Sequence, residues 1–357
     1  MTSSDQIVLQ IVPKTPGSHD GVGDYALNLA KTLSAHHGLK TVFAVGKDSG
    51  SIKDGYDHVI LHYVNYGYQK RGVPFRLLSV LRKLRENCRG RFLTIFHELY
   101  ASGPPWGSAF WLRPFQIRIA QETSRLSDAC VVSDETMLRE LRRLRPEVRA
   151  FVLPVSSNFG EPSFAPDQIA NRDPHRWVVC GGTALVERSV RSFRAIVDRV
   201  PDFFSPRELF VLGGADNSVT RSLLVDLTNV RVDYRPQIDA EEASQVISTC
   251  SFSWLDYFHQ PGVPSDVILK SSAFGAMCAH GVITVFPHRG SPIAVEGDPL
   301  PGPYFIGAGS IDLAIEASRE KVASRIHHWY HQHASAEHRA RTIARALGVV
   351  FDEDRAS

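Results

Sequence analysis

The feature that most constrains this chain is a repeated alternation of short, nearly continuous apolar runs with stretches of helical spacing. Ile7 to Val12 is a compact apolar run ending at Pro13, which reads as a strand buried on both faces. A Gly-containing loop follows, and Tyr25 to Leu33 then carries apolar residues at helical intervals. Thr41 to Val45 and His58 to Val64 read as strands. Phe75 to Leu84 reads as an amphipathic helix and Phe92 to Phe96 as a strand. Ile117 to Leu126 is helical in pattern, Ala129 to Ser133 a strand, Glu135 to Leu144 a basic-faced helix stopped by Pro146, and Phe151 to Val155 a closing strand. Units of this length imply a parallel, doubly wound α/β sheet.

The chain has 357 residues, beyond the size at which one core usually stops growing. Residues 156 to 176 are rich in Pro, Asn, Ser and Asp without periodicity, which suits a linker. A second series then begins. Strands are expected at Trp177 to Cys180, Glu208 to Leu212, Val230 to Tyr234, Phe252 to Leu255 and Val282 to Phe286. Helices are expected at Ser189 to Val200, Val219 to Leu227, Glu241 to Thr249 and Ser271 to His280, with a helical tail from Ser310 to Leu347. The predicted division is a first Rossmann-like domain at 1–160, a second at 161–325, and a tail at 326–357 that crosses back to the first.

Bulk properties exclude several classes. Five scattered cysteines without a C-x-x-C pair argue against a disulfide framework or structural zinc, and fit a reducing cytoplasm. The start MTSSDQ lacks a basic leader region, and no apolar stretch approaches the roughly 20 residues needed to span a bilayer. A net charge of +2 gives no argument for nucleic acid. Peripheral membrane contact is left open by the arginines at 139, 142, 143, 145 and 149, whose ordinary role is a solvated helix face. The cluster His327, His328, His331 and His333 lacks an accompanying carboxylate pattern and reads as a helix face, not a metal site. Neither a G-x-S-x-G elbow nor a P-loop is present.

Four segments fall where open α/β sheets bind ligands, at the carboxyl ends of strands. Residues 17–24 (GSHDGVGD) include Gly21 and Gly23, whose backbone can approach a phosphate or sugar; a simple turn is the plain alternative. His97-Glu98 closes the Phe92–Phe96 strand and can bond a ligand hydroxyl or orient a reacting group, or merely cap the strand. Gly181-Gly182 with Arg188, and Gly213-Gly214, suit a diphosphate, although Gly pairs also make tight turns. Lys270-Ser271-Ser272 at a helix start makes an anion site in miniature, unless a serine is only an N-cap.

Together these segments resemble the GT-B glycosyltransferases, in particular the retaining group 1 or family 4 enzymes. The resemblance runs through GVGDYALNLA (21–30), FHELY (96–100), DACVVSDE (128–135), VLPVSSN (152–158), FVLGGAD (210–216) and AFGAMCAHGVITV (273–285), and so covers nearly the whole chain. It implies two Rossmann-like domains facing each other across a cleft, and transfer of a sugar from a nucleotide diphosphate sugar with retention, without metal or other cofactor. It places Gly21, Gly23, Gly182, Arg188, Lys270, Ser271 and Ser272 on the donor phosphates, and His97 with Glu98 at the reacting sugar. The acceptor is a glycan, lipid-linked sugar or small molecule, with no nucleic acid partner, and the location is cytoplasmic. One departure stands out: the family's two glutamates, eight positions apart, fall on Ile268 and Ala276. That departure motivates a rival expectation of a catalytically silent binding module. A nicotinamide-dependent oxidoreductase is a third, through the G-x-G-x-x-A spacing of Gly21, Gly23 and Ala26, but Asp48 is the nearest acid for a ribose.

Overall fold

The computed structural model describes residues 6–17, 21–46, 55–101, 106–258, 263–307, 311–312 and 319–349. It divides into two compact units, Met1–Leu153 with Ala336–Ser357, and Pro154–Ser335. The chain therefore leaves the first unit once and returns to it at the end.

In the first unit the elements run β1 (Ile7–Val12), α1 (Gly21–His37), β2 (Lys40–Val45), β3 (His58–Tyr63), α2 (Asn65–Tyr68), α3 (Phe75–Asn87), β4 (Phe92–Phe96), α4 (Ser108–Leu126), β5 (Ala129–Val132), α5 (Glu135–Leu144) and β6 (Ala150–Val152). Among the described residues the sheet order is β2-β1-β3-β4-β5-β6, parallel throughout. The interior strands are buried along their length, as their unbroken apolar runs require. Helix α1 turns Tyr25, Ala26, Leu29 and Leu33 to the core, and Asp134 caps α5 by accepting from the Met137 amide at 2.7 Å.

The second unit runs α6 (Pro166–Ala170), β7 (Arg176–Cys180), α7 (Thr183–Arg194), β8 (Glu208–Leu212), α8 (Ser218–Val225), β9 (Arg231–Arg235), α9 (Ala240–Ile247), β10 (Phe252–Trp254), α10 (Ser272–Ala279), β11 (Ile283–Phe286), β12 (Ala294–Val295), β13 (Asp298–Pro299), β14 (Tyr304–Ile306), β15 (Ile311–Asp312) and α11 (Arg319–His333). Its main sheet has the order β15-β14-β11-β10-β7-β8-β9, parallel except for the antiparallel β14–β15 edge. The last helix, α12 (Ala336–Leu347), belongs to the first unit, where its apolar face of Ala340, Ile343, Ala344 and Leu347 lies along α1.

Three expectations shift. Helix α7 begins at Thr183, six residues before Ser189, because Val186, Val190 and Phe193 already sit at core-facing intervals behind the Gly182 N-cap. Residues 156–176 are not free of the second unit: the Ser157 amide donates to the Tyr330 hydroxyl at 2.7 Å, and buried Arg172 donates to the His280 carbonyl at 2.6 Å. The tail is not helical throughout, since Ile311–Asp312 extends the sheet edge.

No helix of the described residues is long and apolar enough to cross a membrane. The cysteines Cys130, Cys180, Cys250 and Cys278 are buried and unbridged, and burial pushes each thiol up.

Two predictions follow from packing. A Cβ placed on Gly275 in α10 would lie 2.6 Å from the Val155 carbonyl oxygen, with Ser156 and Ser157 backbone at 3.1 and 3.2 Å. Gly275→Ala should therefore lose roughly 1–3 kcal/mol in chemical denaturation, despite the better helix propensity of Ala. His280 is buried, bonded to the Ala276 carbonyl at 2.7 Å and Ser244 Oγ at 2.8 Å, and burial holds its pKa down at about 4. As pH falls below the ordinary 6.5, the unfolded chain takes up a proton that the folded chain refuses. Stability is thus full above that value and falls by roughly 3 kcal/mol on the way to pH 4 from this residue alone. His62 shifts in the same direction. Urea midpoints should drop with acid, and less steeply in His280→Gln.

Candidate functional site

In each unit the strand order reverses next to the first strand, and each reversal leaves a crevice at the carboxyl edge. In the first unit β1 lies between β2 and β3, so the crevice falls where the segment after β1 and the end of β3 diverge. In the second, β7 lies between β8 and β10.

The first unit's site is a chain of polar side chains crossing the sheet. Gln10 on β1 bonds the Thr41 hydroxyl at 3.4 Å, and its Oε1 meets His62 Nε2 at 2.7 Å. His62 Nδ1 meets His97 Nε2 at 3.2 Å, just beyond β4. Gln10 and His62 are wholly buried, and His97 is half-buried at the edge. With the Gln10 oxygen as acceptor, His62 carries its proton on Nε2 and accepts at Nδ1 from His97. Burial, then the neighbouring His97 and Arg339, hold the His62 pKa well below its ordinary value, so this ring is neutral near pH 7.

Tyr25, one turn into α1, stands edge-on to both rings, with centroids 5.7 Å from His62 and 5.0 Å from His97. Arg339 from α12 lies over the same ring, with its guanidinium carbon 4.2 Å from the Tyr25 centroid. Arg339 is 1% exposed, and its three guanidinium nitrogens have no hydrogen-bond partner of good geometry among the described residues. Its charge and its contact with the Tyr25 hydroxyl offset part of the rise that burial gives the Tyr25 pKa, and the aromatic face recovers about 2 kcal/mol of the cost of burying the cation. The arrangement can hold His97 in one orientation and one tautomer.

The predicted residues of this unit fall as follows. Gly21 and Gly23 are not loop residues with positive φ but the first turn of α1, because the helix starts four residues before its first core-facing side chain, Tyr25. What they offer is helix N-terminal amide. Ser18, His19, Asp20 and Asp48 lie outside the described residues. Glu98 is exposed beside His97, and its charge helps burial raise the Tyr63 pKa.

The second unit's site is built from three loops at one edge. Gly181–Gly182 leads from β7 into α7. Gly213 (φ 84°) and Gly214 (φ 72°) follow β8, and a Cβ on Gly213 would lie 2.7 Å from the Gly181 carbonyl oxygen, so two strand-end turns pack directly together. The Ala215 amide donates to Thr183 Oγ1 at 2.8 Å, fixing the start of α7. Above Gly182 there is open space within 4 Å of a would-be Cβ. Arg188, on the second turn of α7, donates to the Asp256 carbonyl at 2.5 Å and lies 3.9 Å from its carboxylate, which ties α7 to the segment after β10.

That segment continues through a 3-10 turn, Ser265–Lys270, into α10. Ser271 takes the plain role: its Oγ accepts from the Phe274 amide at 3.3 Å as the N-cap. Ser272 opens the helix and, like Lys270, is half-buried; Pro261 and Gly262 lie outside the described residues. Ile268 and Ala276 are both wholly buried, and Ala276 belongs to the core with Val178, Cys180, Leu212 and Met277. A carboxylate at either position would be desolvated without a partner.

Sequence reading missed Gln10, His62, Tyr25 and Arg339. A signal existed for two of them: Gln10 and His62 are polar interruptions in otherwise apolar buried strands, IVLQIV and HVILHY.

No protein-family model and no curated protein matches the sequence. Solved structures do resemble the fold over almost its full length. An alpha-glucosyltransferase in complex with UDP-glucose and DNA containing an abasic site matches 96% of this chain and 99% of its own at TM-score 0.57 and 12% identity. A protein described as trehalose-6-phosphate from E. coli bound with UDP-2-fluoro glucose matches 97% and 100% at TM-score 0.56 and 9% identity. AviGT4, a glycosyltransferase involved in avilamycin A biosynthesis, matches 96% and 97% at TM-score 0.52 and 12% identity. Identities this low establish architecture and nothing finer: this chain has the GT-B fold of two Rossmann-like domains that its motifs predict.

Proposed function

We propose that this chain is a glycosyltransferase that takes a sugar from a nucleoside diphosphate sugar held by the second unit. The acceptor is a glycan, lipid-linked sugar or small molecule held by the first; transfer proceeds with retention, without metal or other cofactor. The observation that carries the reading is the edge built by Gly181–Thr183 and Gly213–Ala215. It combines open space over Gly182 at the start of α7 with the Arg188 cation on the second turn of that helix. Breaking the bond between sugar and diphosphate puts extra negative charge on the departing oxygen. Fixed amides at a helix N-terminus and the Arg188 and Lys270 cations can stabilise that charge without proton transfer. The nucleotide sugars bound by two of the similar structures support the same ligand class. Retention rests on the resemblance of the motifs.

In this reading His97 hydrogen-bonds the transferred sugar, steered by His62 and Gln10, and Glu98 lies beside it at the reacting centre. Buried Ile268 and Ala276 supply none of the carboxylate contacts of the resembled family, so the diphosphate contacts carry more of the donor affinity.

Calorimetric titration with uridine, guanosine, adenosine and thymidine diphosphates should find at least one ligand. Arg188→Ala and Lys270→Ala should each weaken it about tenfold, the value of roughly 1.5 kcal/mol for a hydrogen bond to a charged group. Absence of binding to every nucleotide would overturn the reading in favour of a silent module. His97→Ala should lower kcat on the order of a hundredfold with donor affinity unchanged, and Gln10→Ala should lower it less. Chelators should leave turnover unaltered.

A further inference from the structure

The first unit carries a surface that sugar transfer does not explain. Trp106 is 87% exposed, Trp111 69%, Phe115 51%, Phe75 50% and Phe110 41%. Phe110, Trp111 and Phe115 lie on the first two turns of α4, Trp106 just before it, and Phe75 at the start of α3. Phe75 packs against Phe115 with centroids 6.2 Å apart, and Phe110 against Trp111 at 5.4 Å. The three other tryptophans of the chain, Trp177, Trp254 and Trp329, are all buried. Monomeric surfaces rarely gather this much aromatic area without a use.

The patch is held in place. Gln116, wholly buried, accepts from the Ala101 amide at 2.9 Å and donates to the Tyr66 hydroxyl and the Arg71 carbonyl, both at 3.3 Å. It thereby clamps α4 to the segment between α2 and α3, leaving the rings outside the clamp. The surrounding sequence is charged in one sense. Residues 64–85 and 99–121 contain no Asp or Glu, and eight Lys or Arg: Lys70, Arg71, Arg76, Arg82, Lys83, Arg85, Arg113 and Arg118. Exposed Arg76 adjoins Phe75 in the chain, exposed Arg71 is tied by its carbonyl to Gln116 beside Phe115, exposed Lys70 precedes it, and none of the three makes an ion pair among the described residues.

We propose that this patch docks on an anionic lipid bilayer surface, with Trp106, Trp111 and Phe115 entering the headgroup region and Lys70, Arg71 and Arg76 facing lipid phosphates. Aromatic rings favour the boundary between headgroup and acyl chain, and each nearby cation adds attraction to anionic lipid. The geometry favours this over two other occupants. Single-stranded nucleic acid needs open ring faces for base stacking, whereas here Phe75 with Phe115 and Phe110 with Trp111 close on one another edge-to-face at 80° and 85°. A second copy would set the same uncompensated cations against themselves. The basic helix α5, the sequence-level candidate for membrane contact, is less suited: Arg139, Arg143 and Arg145 there bond Thr136, Glu140 and the Ser124 carbonyl.

The test uses the full chain with vesicles of phosphatidylcholine alone and of phosphatidylcholine with about one third phosphatidylglycerol. Sedimentation should show binding to the anionic vesicles at about 0.1 M salt, and weakening at about 0.5 M. Tryptophan emission should shift to the blue on binding, a change that reads Trp106 and Trp111. Substituting Trp106→Ala, Trp111→Ala and Phe115→Ala together should lower partitioning at least tenfold and abolish the shift. Melting temperature should stay unchanged, since these side chains are exposed. Binding undiminished in that variant, or absent from both vesicle types, overturns the proposal. So does tighter binding to a single-stranded oligonucleotide, or a patch-dependent dimer in solution.

Discussion

The constraint on which the rest depends is that a parallel sheet must be covered on both faces. Its strands are therefore nearly uniform in apolar character, its connections must be helices, and polar chemistry is pushed to the carboxyl edge. Both units obey this. The exceptions inside the first sheet are informative because each costs free energy unless it is bonded. Gln10 and His62 are bonded, to each other and outward to Thr41 and His97. A buried polar chain of this kind fixes orientation at the edge from the middle of the sheet.

Arg339 stands apart from that rule. It is delivered by α12 to the ring of Tyr25, and among the described residues no carboxylate is paired with its charge. Its field adds to burial and to His97 in keeping His62 neutral. Distant parts of the chain thereby set the protonation of a side chain next to the candidate site. In the second unit the corresponding work is done by backbone: packed glycine turns, an N-capped helix and a strand-end carbonyl that holds Arg188.

Most of the fold was legible in the sequence because buried parallel strands announce themselves as apolar runs, and such runs alternate with helices through most of both units. Legibility failed where local chemistry misleads. Thr183 to Arg188 looks like loop but already forms the first turns of α7, and the Pro- and Asn-rich run 156–176 looks like linker but is bonded to α10 and α11 through Arg172 and Ser157. The candidate site was legible in part, as strand-end segments that topology does bring to sheet edges. Its supporting chain was not, since the pairing of Gln10 with His62 depends on strand register, and Arg339 lies more than 300 residues from its partner Tyr25. Ser271 is a case where the plain reading, an N-cap, is realised.

The return of α12 has a consequence for the order in which the protein is made. The second unit is contiguous from Pro154 to Ser335, so every residue it needs has been synthesised before α12 exists. The first unit lacks the helix that packs along α1, and with it the Arg339 that covers the Tyr25 ring, until α12 has also been made. Domains usually mature on the ribosome in chain order; here the second unit can close before the first.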